Sequence, residues 1–70
     1  MPLTMIKPGE TAKVERVGGR EETKRFLTNL GFTDGADVTI VNEIDGNMIV
    51  KVRDARVAIG TDMAKKIMVS

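Results

Sequence analysis

Acid–base and nucleophilic chemistry is thinly supplied in this chain, which contains no His, no Cys and no Tyr. General acid–base work at neutral pH would therefore fall to carboxylates or lysines. The carboxylates are scattered, and no two stand in an evident apolar setting that would push their pKa values apart. No Gly-Lys is followed by Ser or Thr, and Gly18-Gly19 stands alone, so no phosphate-cradling loop is written here. One stretch, Val41-Asn42-Glu43-Ile44-Asp45-Gly46-Asn47, resembles part of a calcium loop. Its first-ligand position is Val41 and its closing-glutamate position is Val52, so it fails at both ends and reads as a hairpin turn. Any metal would be held weakly, by carboxylates, carbonyls and water. The expectation is a protein that is not an enzyme and has no catalytic, cofactor-binding or metal-ligating residues.

Binding chemistry is similarly bounded. Eleven basic and ten acidic residues give a net charge of +1, too even a balance for electrostatically driven nucleic-acid binding. Arg20, Lys24 and Arg25 read as a solvated face. Only two Phe and no Trp are present, so neither an aromatic groove for polyproline nor a stacking platform for single-stranded bases can be built. Methionine is the one enriched apolar type, at positions 1, 5, 48, 63 and 68. Two roles suit it: gap-filling in an irregular core, or an adaptable surface for contact with another protein. Met5, Ile49, Met63 and Met68 are the candidates for an exposed apolar, partner-binding patch.

The elements that must position such a surface are organised around Gly18–Val41. Glu21 and Glu22 fill the first turn of a short helix, and Lys24 and Arg25 follow, an order that suits the helix dipole. Phe26, Leu27 and Leu30 supply its apolar face. Gly31 stands where a left-handed residue ends a helix, which sets Phe32 against Leu27 in a Schellman arrangement. Asp34-Gly35 turns the chain into a strand beginning at Val38 and Ile40.

A turn-then-strand unit occurs twice, as Lys7–Val14 (KPGETAKV) and Thr33–Ile40 (TDGADVTI), with apolar residues three and five positions after each Gly. The same barrel-corner geometry is expected at both places. Before the first, Leu3–Ile6 is an apolar segment suited to a sheet edge. In the hairpin after Ile40, a loop of Asp45-Gly46-Asn47 keeps the apolar faces in phase by setting Ile44 opposite Met48 and Ile40 opposite Val52. Asp54-Ala55 makes the next tight turn, into Arg56–Ile59. Thr61 suits an N-cap for a helical turn over Asp62–Ala64, and Ile67 and Val69 close the chain.

The inventory is mainly β: about five short strands, one helix and a helical turn in a small, strongly bent barrel. Its expected core is Ala12, Val14, Phe26, Leu27, Leu30, Val38, Ile40, Val50, Val52, Val57, Ile59, Ile67 and Val69. Seventy residues form a single domain, residues 1–70, marginal without a well-packed interior. The absence of Cys suits the cytosol. No leader or membrane-spanning apolar run is present, and the initial Met1 fits a complete small soluble protein.

Taken whole, the chain resembles the FeoA family, small cytoplasmic partners of the ferrous-iron transporter FeoB. The likeness rests on Leu3 and Pro8-Gly9-Glu10, on Arg25 to Gly35 with the Val38/Ile40 alternation, and on Val57-Ala58-Ile59-Gly60, Ala64 and Ile67-Met68-Val69. Leu30-Gly31-Phe32 with Gly35 is its most specific part. Family members often carry Pro where this chain has Asp34, and Gly where it has Asp54-Ala55. The resemblance implies an SH3-like barrel and an accessory or regulatory role in ferrous-iron uptake, with FeoB as partner and iron as the transported ion. It implies no nucleic-acid partner and no membrane insertion. It also implies a cytoplasmic protein, held at the membrane's inner face, if at all, through its partner; homo-oligomerisation is left open. The module is similar, too, to the C-terminal domain of diphtheria-toxin-repressor-type metal-dependent repressors. The alternative is therefore an SH3-like metal-sensing module associated with such a repressor.

Overall fold

Apolar residues two apart dictate the inward face of each strand. A computed structural model describing residues 1–70 shows five strands formed this way. They are β1 (Thr11–Val17), β2 (Asp37–Ile44), β3 (Asn47–Val52), β4 (Ala55–Gly60) and β5 (Ile67–Val69). Helix α1 (Glu21–Leu30) joins β1 to β2, and the short α2 (Thr61–Ala64) joins β4 to β5. All pairings are antiparallel, in the order β4-β3-β2-β1-β5. Every strand contributes side chains to one core, so the sheet curls around it. A flat five-strand sheet would be a slab one layer thick; the extents here are 28 × 24 × 22 Å.

The two turn-strand units are structural equivalents. Pro8-Gly9 and Asp34-Gly35 each form a turn closed from the fourth residue to the first, Glu10 N to Lys7 O and Ala36 N to Thr33 O, both 3.0 Å. Gly9 and Gly35 hold φ of 90° and 83°, the third-position conformation of a type II turn. Each turn then clamps the other unit's strand. Gly9 N donates to Ile40 O (2.7 Å) and Ile40 N to Glu10 O (3.1 Å). Gly35 N donates to Val14 O (2.7 Å) and Val14 N to Ala36 O (2.9 Å). Ala12 stands opposite Val38, so a local two-fold axis passes through that pair. The repeated spacing is thus one clasp used twice.

The β2–β3 hairpin departs from expectation. Its loop is the two-residue Asp45-Gly46, with Ile44 opposite Asn47 and Ile40 opposite Val50. Asp45 and Gly46 both have positive φ (49° and 78°), the type I′ geometry whose twist matches the flanking strands. A register shift between Ile40 and Asn42 restores the phase: Val41 is the extra residue of a bulge. The bulge does the work assigned to a third loop residue. The next turn is likewise shifted by one, to Arg53-Asp54, because Val52 pairs with Ala55. Arg53 there holds φ 55° and donates from Nη2 to Thr33 Oγ1 (2.6 Å).

The helix stop is as expected. Gly31 has φ 118°, its N–H reaches Thr28 O and the Phe32 N–H reaches Leu27 O, each at 3.0 Å: the Schellman pair. Leu27 and Phe32 are both buried in the core. Phe26 is not; it is 49% exposed, because with Leu27 pointed at the barrel and Leu30 half-buried beside it, the neighbouring position turns to the flank. Val57 is also only half-buried, while Leu3, Phe32, Met48 and Ala64 join the interior. Leu3 gets there because Leu3–Met5 is a 3₁₀ turn rather than an edge strand; only Pro2 bridges β5, at Met68. At α2, Gly60 is the cap and Thr61 the first helical residue, with no side-chain capping bond.

Candidate partner-docking surface

A solid core limits what the surface can do. The surface has no pocket, and no three carboxylates converge to a metal-binding distance. The lone salt bridge, Lys13 Nζ to Asp37 Oδ1 at 2.9 Å, is exposed on both sides and serves the β1–β2 register. What the molecule offers to ligands is its exterior.

The four residues singled out in the sequence fall on two surfaces. Met5 ends the 3₁₀ turn and is 62% exposed. That turn lies against α2, which carries Met63, and against β5, which carries Met68. Met68 points away from the buried Ile67 and Val69, as alternation requires, and is half-buried; Met63 is half-buried with one side against the core. Basic residues rim this end: Arg16 opposite Met68 on β1, and Lys65 and Lys66 directly after α2. Ile49 is elsewhere, half-buried on the outer face of β3 between Asn42 and Ala58. Of the proposed patch, then, only Met5 is largely exposed, and Ile49 is separate from the methionines.

Other exposed apolar groups escaped sequence reasoning: Met1, Phe26, Val41 and Ile44. Helical periodicity alone places Phe26 in the interior, but it is exposed on the flank of α1. Val41 and Ile44 surface because the bulge lifts one residue out of the alternation and the hairpin tip overhangs the core. The adjacent Asp45-Gly46, a type I′ signal, was the available clue to that geometry.

Comparison with known proteins places this architecture. A family model described as the FeoA domain matches residues 1–70. A protein of Methanocaldococcus jannaschii, provisionally named Fe(2+) transport protein A, is 28% identical over 68 residues, 97% of this chain and 83% of its own length. Two solved FeoA structures are similar, each 28% identical. One, described as an iron uptake regulatory protein, superposes with a TM-score of 0.90 over 99% of this chain and 93% of its own. The other, from Stenotrophomonas maltophilia, is described as a procaryotic SH3 domain protein complexed with zinc; its TM-score is 0.88 over 100% of this chain and 89% of its own. The fold, SH3-like, also recurs in a manganese-dependent transcriptional repressor that is 22% identical (TM-score 0.87), where this chain spans 99% of itself and 40% of the repressor.

Proposed function

The chain belongs to the FeoA domain family, and on that premise we propose that it is a non-enzymatic accessory protein of ferrous-iron transport. It docks on the cytoplasmic part of a FeoB-type GTPase-permease and adjusts that transporter's activity. The observation that carries this reading is the match over residues 1–70, joined by a relative named for Fe(2+) transport. Ferrous iron is the transporter's cargo in this scheme, not a resident ligand of the barrel. The absence of a helix long and apolar enough to cross a membrane is compatible with attachment through the partner.

The docking surface we assign is the end carrying Met5, Met63 and Met68. Unbranched, polarisable side chains on three adjoining elements make an adaptable apolar centre, and Arg16, Lys65 and Lys66 make a basic rim. The complementary partner surface is apolar with an acidic border. Titration of this chain into the cytoplasmic GTPase domain of the transporter, and into the whole transporter in vesicles, tests the proposal. Binding is expected, with Met5→Glu weakening it by about tenfold or more while the folded spectrum stays unchanged. Absence of binding between folded partners would refute the docking; binding indifferent to Met5→Glu and Met68→Glu would move it to another face.

A second reading follows from the repressor likeness: the barrel acts as a metal-sensing module associated with a separate DNA-binding chain. Co-purification with such a chain, dependent on Fe²⁺ or Mn²⁺, would favour it over transporter docking.

A further inference from the structure

The two edges of the sheet are treated differently. Along β5 the outer edge is occupied: Met1 N donates to Val69 O (2.9 Å), Val69 N donates to Met1 O (2.7 Å), and Pro2 bridges Met68. Along β4 it is open. The turn at Arg53-Asp54 makes Val52 and Ala55 the closing pair, so Ala55, Val57 and Ile59 direct their N–H and C=O groups at β3. Those of Arg56 and Ala58, with the N–H of Gly60, project the other way, and no turn or loop bond receives them; the Gly60 C=O, as the cap of α2, already accepts that helix's first bond. Nor does β4 carry the usual protection of a free edge: it has no Pro and no register shift, and only one charged side chain.

From this geometry we propose that β4 is a self-association edge, pairing antiparallel with β4 of a second copy about a two-fold axis at Ala58. Self-complementarity selects this occupant. With Ala58 opposite Ala58 of the other copy, Arg56 stands opposite Gly60 and Val57 opposite Ile59. The N–H and C=O groups of Ala58, the C=O of Arg56 and the N–H of Gly60 then meet partners. The Arg56 N–H shares the Gly60 C=O with α2 through its second lone pair, and small residues at 58 and 60 let the backbones approach. The charges also match. Arg56 shares the outer face with Lys51 directly across the ladder, an unfavourable like-charge pair that no acid offsets within the chain. Asp62 has no partner either, and its Oδ1 lies 3.0 Å from where a Cβ on Gly60 would stand, on the face that Arg56 and Ala58 share. In the dimer each Arg56 meets the other copy's Asp62, twice by symmetry.

Sedimentation equilibrium from about 1 μM to 1 mM, together with amide exchange, tests this on the whole chain. The expected result is a reversible dimer of the 7.6 kDa chain, with a dissociation constant on the order of 100 μM for so small an interface. The amides of Arg56, Ala58 and Gly60 become more protected as concentration rises. Ala58→Pro removes a donor that no intramolecular ladder bond uses, and should weaken association about thirtyfold through two lost bonds. Arg56→Glu and Asp62→Lys should each weaken it about tenfold, and the double variant should restore it. A chain that stays monomeric at millimolar concentration overturns the proposal, even if the edge then captures a strand from another protein. So does a dimer in which these three amides stay exposed or the charge swap fails to rescue.

Discussion

Replacing Gly31 by Ala should be the most damaging single-methyl insertion in this chain. The residue holds φ 118° and ψ 0°, well past the narrow left-handed well open to residues with a Cβ. Occupying such a region costs on the order of 1–3 kcal/mol. The added Cβ would also stand 3.4 Å from Val52 Cγ2 and from Arg53 Cδ. Arg53 is exposed and can move, but Val52 is fully buried, and its displacement adds about 1 kcal/mol of overpacking. The sum, about 2–4 kcal/mol, corresponds to a fall in melting temperature of about 8–32 °C for a domain of this size. Gly35→Ala is the matched control: φ is also positive, at 83°, but a Cβ there meets nothing within 4 Å. Its loss should be smaller by about 1 kcal/mol or more. Both are read by urea titration followed by far-UV circular dichroism, since the chain has no Trp or Tyr to report by fluorescence. Equal losses at the two positions would refute the claim that close packing of the helix stop on β3, beyond its backbone conformation, locks α1 in place.

Three other outcomes are expected from the same assay. Met48→Ala, at a fully buried site facing Ile59, should lose about 2–5 kcal/mol, enough to unfold much of the population at 37 °C. At Arg53, Ala should lose about 1 kcal/mol with the bond to Thr33, whereas Gly should be nearly neutral, because relief of the 55° φ offsets that loss; an R53G variant weaker than R53A would contradict this. Lys13→Ala should change stability by less than about 1 kcal/mol, since the ion pair with Asp37 is 61% and 68% exposed, and added salt should erase the difference.

Residue order alone was sufficient wherever the responsible forces act between near neighbours. Gly31 followed by Phe32 ends a helix whatever lies beyond, because only glycine occupies that φ freely and the two capping bonds close within six residues. The paired Gly9 and Gly35 turns were legible for the same reason, as was the outward set of Met68 between Ile67 and Val69. Long-range contacts settled the remainder. Asp45-Gly46 carried a local signal for the two-residue loop after Ile44, but the bulge at Val41 that keeps the faces in phase did not show in its own residues, because it depends on how β2 lies across β1 and β3 at once. Phe26 matched the helical period yet faces water, because burial depends on which side of α1 meets the barrel. Leu3 and Met48 entered the core through packing between segments far apart in the chain. The open edge of β4 is of this kind too. A strand's second side is free or filled according to what the rest of the molecule brings to it, and here the N-terminal residues went to β5 instead.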